Sequence, residues 1–401
     1  MAQHSIYTSM FFIVALLFFT SCLSRAIANQ TIEFDKLSRI RAQLKKINKP
    51  GVKTIKSPDG DIIDCVLFHD QPAFDLPELK DQKTTLELPE LPMGYNISED
   101  ETAGFENFQL WSQSGEECPE GTIPILRTTE QDLLRVSNMT RLGKKNIVKI
   151  GHEDTIAYAV GDKYYGAKAN LNIWAPKTNQ FEFSLAQIWV LSGERASNDL
   201  NSVEAGWQVY PSRNGNSNPR LFAYWTTDGY QSSGCYNLIC PGFVQVNKRI
   251  TLGAAIRPIS SYNGKQFDMH FVIWKDPLTR NWWLSIGSKI LIGYWPSSLF
   301  TRLKDYAGLI EFGGEVMNTA VNGHTTTQMG SGHFPGEGYK KSAYFRNLYF
   351  VNSFNQYVPI PVSNLHTRAN DPNCYDIKVL YGNIYGTYFY YGGPGKNPKC
   401  P

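Results

Sequence analysis

Between residues 152 and 401, short runs rich in Val, Ile, Phe, Tyr and Trp alternate with clusters of Gly, Asn, Pro and Asp. FEFSLAQIWVLSG, SVEAGWQVYP, RLFAYWTTDGY, FDMHFVIWKD and SAYFRNLYFVN are examples, and no apolar stripe of helical spacing reaches 12 residues. Short runs with period-two alternation, separated by turn residues, predict an all-β fold, an antiparallel β-sandwich. Eight of the nine tryptophans fall in this stretch, which supplies the bulk needed to fill the space between two sheets.

The 401 residues exceed one typical domain, and the first part is of a different kind. Residues 1–28 read as a secretory signal: the apolar core FFIVALLFF is followed by SRAIA, with small residues at Ala26 and Ala28. A nine-residue core is too short to span a bilayer, and no later run approaches 18 apolar residues, so export without a membrane anchor is expected. Six cysteines remain after the signal: Cys65, Cys118, Cys235, Cys240, Cys374 and Cys400. An even number in an exported chain predicts three disulfides, and locality pairs Cys235 with Cys240 and Cys374 with Cys400, leaving Cys65 for Cys118. With no C-x-x-C pair, no metal site is expected of them.

Charge divides the chain near residue 150. Residues 29–150 hold 16 Lys and Arg against 20 Asp and Glu, a net of −4, and residues 151–401 hold 22 against 16, a net of +6. Such halves attract. The glycosylation sequons at Asn29, Asn96 and Asn138 all precede the boundary, and RLGKKNIVKIGH at 141–152 is a basic segment that reads equally as a linker or a processing site. Within 29–150, Leu37, Ile40, Leu44 and Ile47 mark one amphipathic helix stopped by Pro50 and Gly51, and IKSPDGDIIDCVLF reads as a hairpin. Residues 71–120 are acidic and Pro-rich, a loop draped over something. The reading is a small α+β prodomain at 29–150 before a β-sandwich domain at 151–401.

Fixed-spacing enzyme motifs are missing: no H-E-x-x-H, no G-x-S-x-G and no Walker or Rossmann glycine pattern. GSGH at 330–333 has no nucleophile elbow, and His152, His270, His324, His333 and His366 lack neighbours at ligand spacing, so each is expected to be structural or exposed. Carboxylates remain. In SVEAGWQV, period two puts Val203, Ala205, Trp207 and Val209 on the core face and Glu204, Gly206 and Gln208 opposite. In IEFGGEVM, Glu311, Gly313 and Glu315 likewise lie opposite Ile310, Phe312 and Val316. Glycine beside a carboxylate leaves room above a sheet for another molecule. Solvated strand residues on an outer face would show the same alternation, and strand phase does not separate Glu311 from Glu315.

SVEAGWQVYP, LFAYWTTDGYQSSGCYNLICPGFVQ, IEFGGEVMN and HTTTQMGSGHFPGEGYKKSAYFRNLY resemble the neprosin family of secreted plant proteins, and SPDGDIIDCVLF and CPEGTIPILR resemble that family's activation peptide. The resemblance implies a β-sandwich glutamic endopeptidase, made as a zymogen and cleaving after proline. It places the catalytic pair on Glu204 and Glu315, with Glu311 a neighbour, and it agrees with a Cys235–Cys240 disulfide.

Two close carboxyls would hold one proton between them, one acting as general base on a water and the other as acid, without metal or cofactor, and such a pair works best in acid. Gln187 is the expected oxyanion or water-orienting donor, and Trp207, Tyr224 and Trp225 are available to bind a proline ring. The acidic 71–120 loop is expected to cover the basic catalytic domain as an intramolecular inhibitor and to loosen on acidification. The expected partners are a proline-containing peptide and the chain's own prodomain, with no nucleic acid or membrane, in a secreted monomer of the apoplast, cell wall or vacuole. A β-sandwich glycoside hydrolase and a lectin-like cell-wall binder are the competing readings. Loss of peptide cleavage, of sugar hydrolysis or of neither on substituting the glutamates separates the three.

Overall fold

The computed structural model describes residues 35–79, 87–94, 108–113, 115–135, 151–287 and 289–401. The signal, the three sequon asparagines and residues 141–150 lie outside them.

The N-terminal part opens with a helix at 35–47 and a three-stranded antiparallel sheet of β1 (Gly51–Lys56), β2 (Ile62–Leu67) and β3 (Thr122–Leu126). The turn between β1 and β2 is the one SPDG predicts, closed by Gly60 N–H donating to the Ser57 carbonyl at 3.0 Å. Cys65 on β2 is bonded to Cys118, and both are buried with Ile55, Ile63 and Trp111.

From His152 onward the chain is a two-layer antiparallel β-sandwich. In order come β4 (His152–Tyr164), β5 (Gly166–Asn172), β6 (Ser184–Ser192), β7 (Asn201–Val209), β8 (Arg220–Thr226), β9 (Cys235–Tyr236) and β10 (Val244–Gln245). Then follow β11 (Asp268–Lys275), β12 (Trp282–Ile286), β13 (Ile290–Trp295), β14 (Ala307–Met317), β15 (Ala343–Val351), β16 (Tyr357–Pro359), β17 (His366–Ala369), β18 (Asp376–Gly382) and β19 (Gly386–Gly392). One sheet has seven strands in the order β17-β4-β14-β6-β7-β8-β9, and the other has nine, β10-β13-β12-β11-β5-β15-β19-β18 with β16 on the edge of β15.

Alternation decides what lies between the layers. Ala186, Ile188, Val203, Ala205, Trp207 and Phe312 of the first sheet meet Ala169, Leu171, Phe271 and Ile273 of the second in one core. Trp207 is fully buried there, its indole N–H donating across the gap to the Asn172 carbonyl at 3.0 Å. Disulfides Cys235–Cys240 and Cys374–Cys400 complete the expected pairing. Among the described residues no helix is long and apolar enough to cross a membrane.

The described residues of the N-terminal part are seated away from the groove described below. Ala73, Phe74 and Leu79 pack on Val244, Val272, Trp274 and Trp283, which form the outer side of the nine-stranded sheet. Two glutamine side chains stand in for strand neighbours. Gln71 exchanges hydrogen bonds with both backbone groups of Gln245 (2.8 and 3.1 Å), and Gln109 does the same with Thr251 (2.8 Å each). At the rim Arg220 holds Asp61 with two bonds of 2.7 and 3.0 Å, and Lys248 and Arg249 pair with Glu120 and Glu117.

Candidate active site

The outer face of the seven-stranded sheet carries the site. β14 runs between β4 and β6, and the register sets residues in cross-strand rows. One row reads Tyr158, Glu311, Trp189, Glu204, Tyr224; the next Ile156, Gly313, Gln187, Gly206, Phe222; the next Asp154, Glu315, Leu185, Gln208, Arg220. The expected phase of both glutamate strands is therefore the observed one.

Gln187 sits between two glycines, with Glu204 and Glu315 at opposite corners of the surrounding diagonal. Both glycines are demanded by close backbone approach: a Cβ on Gly206 would lie 2.6 Å from the Gln187 Cα, and one on Gly313 would lie 2.8 Å from the Ile156 Cα. The same two positions keep the surface beside Gln187 clear of side chains. Glu311 shares a row with Glu204, with Trp189 of β6 paired to each of them.

Glu204 is fully buried and accepts three hydrogen bonds, from Gln187 Nε2 (3.0 Å), Ser202 Oγ (2.7 Å) and the Tyr230 hydroxyl (2.7 Å). Tyr230 belongs to a turn organised by Asp228, whose carboxylate accepts from the backbone and hydroxyls of Ser232 and Ser233. Those bonds hold the Asp228 carboxyl well below the usual range, although its partial burial acts the other way. Tyr230 stacks on Tyr224 with centroids 6.0 Å apart and carries the Arg195 guanidinium over its outer ring face at 5.2 Å.

Glu315 has different company. His152 Nδ1 lies 2.5 Å from its Oε1, and Asp154 is directly opposite on β4. Burial first, and then the Glu315 charge, raise the Asp154 carboxyl, while Arg368, Arg195 and His152 pull the other way. Burial pushes Glu311 up to about 7. These groups line an open groove of about 700 Å³ that includes His152, Asp154, Trp189, Arg195, Tyr230, Glu311, Glu315 and Arg368.

Several expectations change. Trp207 lies in the core between the sheets, and Trp225, on the inward phase of β8, packs edge-on to Phe300 at 6.2 Å. Neither reaches the groove, because alternation sends them inward. Tyr224 does face outward but is buried under Tyr230, and Trp189 and Tyr230 are the aromatic groups at the groove. His152, expected to be structural or exposed, contacts Glu315. His152 and Asp154 could have been found by extending the same outward phase back along β4 from Ile156. Tyr230, held by the DGYQSS turn, left no periodic signal.

The register sets how far apart the two glutamates stand along and across the sheet. Glu204 and Glu315 face the same side of one sheet, but they are two strands apart and four residues out of step. On a flat sheet that sets their Cα atoms roughly 16 Å apart, given about 4.8 Å between strands and about 3.3 Å per residue. Asp154 is a like-charge neighbour of Glu315. The acidic prodomain loop does not cover this groove among the described residues, since every lining residue lies at 152 or beyond. Three carboxyls, Asp154, Glu311 and Glu315, line this groove with Arg195 and Arg368, whereas Lys248 and Arg249 pair with acids of the N-terminal part.

The model of a protein family described as Neprosin matches residues 180–394, and that described as Neprosin activation peptide matches residues 54–168. Among solved structures, scytalido-glutamic peptidase with a peptide-based transition-state analog is similar at 10% identity, covering 61% of this chain and 98% of that one with a TM-score of 0.34. SCP-B, a member of the Eqolisin family of peptidases in complex with the tripeptide Ala-Ile-His, is similar at 10% identity with the same coverage and a TM-score of 0.33. At these scores the likeness carries no functional weight.

Proposed function

The chain belongs to the neprosin family, and on that premise we propose that it is a secreted glutamic endopeptidase, made as a zymogen, that cleaves after proline in acid through Glu204 and Glu315. The observation that carries the reading is the diagonal of Glu204, Gln187 and Glu315 across two glycine positions, beside the open groove that Glu315 lines. The two carboxyls then act across a bound peptide group.

One carboxylate takes a proton from water as the water oxygen bonds to the scissile carbonyl carbon. The other, protonated, donates to the carbonyl oxygen. As the C–N bond breaks, the proton held by the base passes to the leaving nitrogen, and both carboxyls return to their starting states. Gln187 Nε2 keeps the Glu204 carboxylate oriented. A proline ring, compact and without an N–H, fits between Trp189 and Tyr230 at the edge of the groove. No metal or cofactor enters the scheme.

Acid suits this surface. Below about pH 7 Glu311 takes up its proton, and Asp154, raised by burial and by the Glu315 charge, holds its proton more readily than a free carboxyl, which lessens the like charge around Glu315. Six paired cysteines fit an oxidising compartment. The 54–168 match supports the prodomain as the chain's own inhibitor, and among the described residues its Ala73, Phe74 and Leu79 pack on the far sheet.

The test is to incubate the full-length chain at acid pH and sequence both its new N-terminus and the products of a peptide containing several prolines. Products ending in proline, formed by the native chain and not by Glu204→Gln, are expected. Cleavage without regard to proline removes the specificity, and undiminished cleavage by Glu204→Gln removes the mechanism.

A further inference from the structure

A second cavity, of about 390 Å³, opens on the outer face of the nine-stranded sheet. That is the size of a small-molecule site, roughly 300–1,000 Å³. Its floor comes from residues in outward phase on β5, β11 and β15: Asn170, Asp268, Tyr344 and Arg346. Its walls are tyrosines, with Tyr388 and Tyr390 perpendicular at 5.7 Å and Tyr385 6.0 Å from Tyr388.

The floor is held in one arrangement before any ligand arrives. Asp268 accepts from Arg346 Nε (2.7 Å) and Nη2 (3.2 Å), from the Tyr344 hydroxyl (2.8 Å) and from Asn170 Nδ2 (3.2 Å). The carbonyl end of Asn170 is left over. Among the described residues nothing donates to Asn170 Oδ1, although the residue is only 2% exposed, nor to Gln266 Oε1, which also lines the cavity. A buried acceptor without a donor is costly, so the cavity calls for a ligand rich in donors.

We propose that this cavity binds a pyranose unit of a glycan. Sugar hydroxyls donate to the amide oxygens and accept from Arg346, while the C–H face of the ring lies on a tyrosine. A polyproline segment would also suit a wall of tyrosines, but its imide nitrogens carry no hydrogen and leave both acceptors unanswered. The site is on the opposite sheet from Glu204 and Glu315, so a bound glycan would anchor the molecule and leave the acidic groove open.

The inference is independent of the peptidase reading, and its test uses no cleavage assay. Titration calorimetry of the full-length chain with cellohexaose, xylohexaose, hexagalacturonate and hexaproline is the measurement. At least one of the three sugars is expected to bind, and Tyr385→Ala and Tyr388→Ala are each expected to weaken it by about tenfold, the order of one lost aromatic contact. The neutral and acidic sugars distinguish the class of glycan. Tyr385 is 37% exposed, so its truncation is compatible with an unchanged fold, which the melting temperature checks. Absence of sugar binding at millimolar concentration, sugar binding that both variants leave intact, or binding of hexaproline in place of the sugars would overturn it.

Discussion

The outer faces of the two sheets obey the same alternation and carry opposite charge. On the seven-stranded sheet Asp154, Glu204, Glu311 and Glu315 gather in or under the groove, with Arg195 and Arg368 at its edge. On the outer face of the nine-stranded sheet stand Lys168, His270 and Arg346, the last paired with Asp268, and the loop after β10 adds Lys248 and Arg249, while Arg220, which holds Asp61, belongs to β8 of the seven-stranded sheet. Burial and the cations beside it push His270 well below its ordinary range. The difference explains where the acidic N-terminal part sits. Its described residues lie against the nine-stranded sheet and at Arg220, Lys248 and Arg249, and none of them lines the groove.

The sharpest way to break this comparison is to remove acids from the groove one at a time. Glu315→Gln is expected to lower kcat on a proline-containing peptide by about a thousandfold or more, as loss of an acid–base group does, with the melting temperature retained. Glu311→Gln is expected to keep kcat within about tenfold, because Trp189 separates that residue from Glu204. Its signature is in stability. A carboxyl raised to about 7 from its ordinary value of 4.5 contributes stability that is present in acid and lost as pH rises through about 7. Glu311→Gln should therefore flatten the fall of stability between about pH 4.5 and pH 7, by on the order of 2 kcal/mol. A thousandfold loss in Glu311→Gln with little in Glu315→Gln would reassign the pair.

Which face each glutamate occupies was legible in the sequence, because alternation depends only on neighbours along the strand. So were the three disulfides, fixed by count and closeness. Which strands lie side by side was not legible. β14 is inserted between β4 and β6, more than 100 residues earlier in the chain, and only that pairing brings His152 and Asp154 to Glu315. The placing of Tyr230 over Glu204 depends on hydrogen bonds within a turn, which carries no period. Charge sums foretold that the two halves attract but not where they meet. The address is written in Gln71, Gln109 and Phe74, side chains that look like ordinary loop residues until the backbone they pair with is known.

The rim offers the next test. Arg220 is 4% exposed and its guanidinium is answered by Asp61 and by the Gly253 carbonyl. Asp61→Ala leaves that cation buried without its counterion, at a cost of about 3 kcal/mol or more. Denaturant unfolding of the full-length chain should show the loss, and Arg220→Met on the same background should recover part of it. An unchanged midpoint in Asp61→Ala would mean that the rim does not hold the N-terminal part.

The smallest expected effect concerns acid itself, and it turns on signs. Burial raises Asp61 more than Arg220 lowers it, so the folded protein binds that proton more readily than the unfolded chain. Its contribution is then present in acid and lost as pH rises, the opposite of an acid trigger. Glu120 runs the other way. Its hydrogen bond and ion pair with Lys248 lower its carboxyl, so its contribution is present above about pH 4.5 and lost as pH falls through the folded value. Being fully exposed, that pair is weak and screened by salt. The two contributions oppose each other, and lowering pH alone should barely loosen the N-terminal part. Glu120→Gln should remove the small acid-dependent share in low salt and be indistinguishable from the native chain at about 1 M salt. Proteolytic sensitivity of the full-length chain between pH 7 and pH 4 measures this, and a large acid-driven release surviving in Glu120→Gln would place the trigger on other carboxyls.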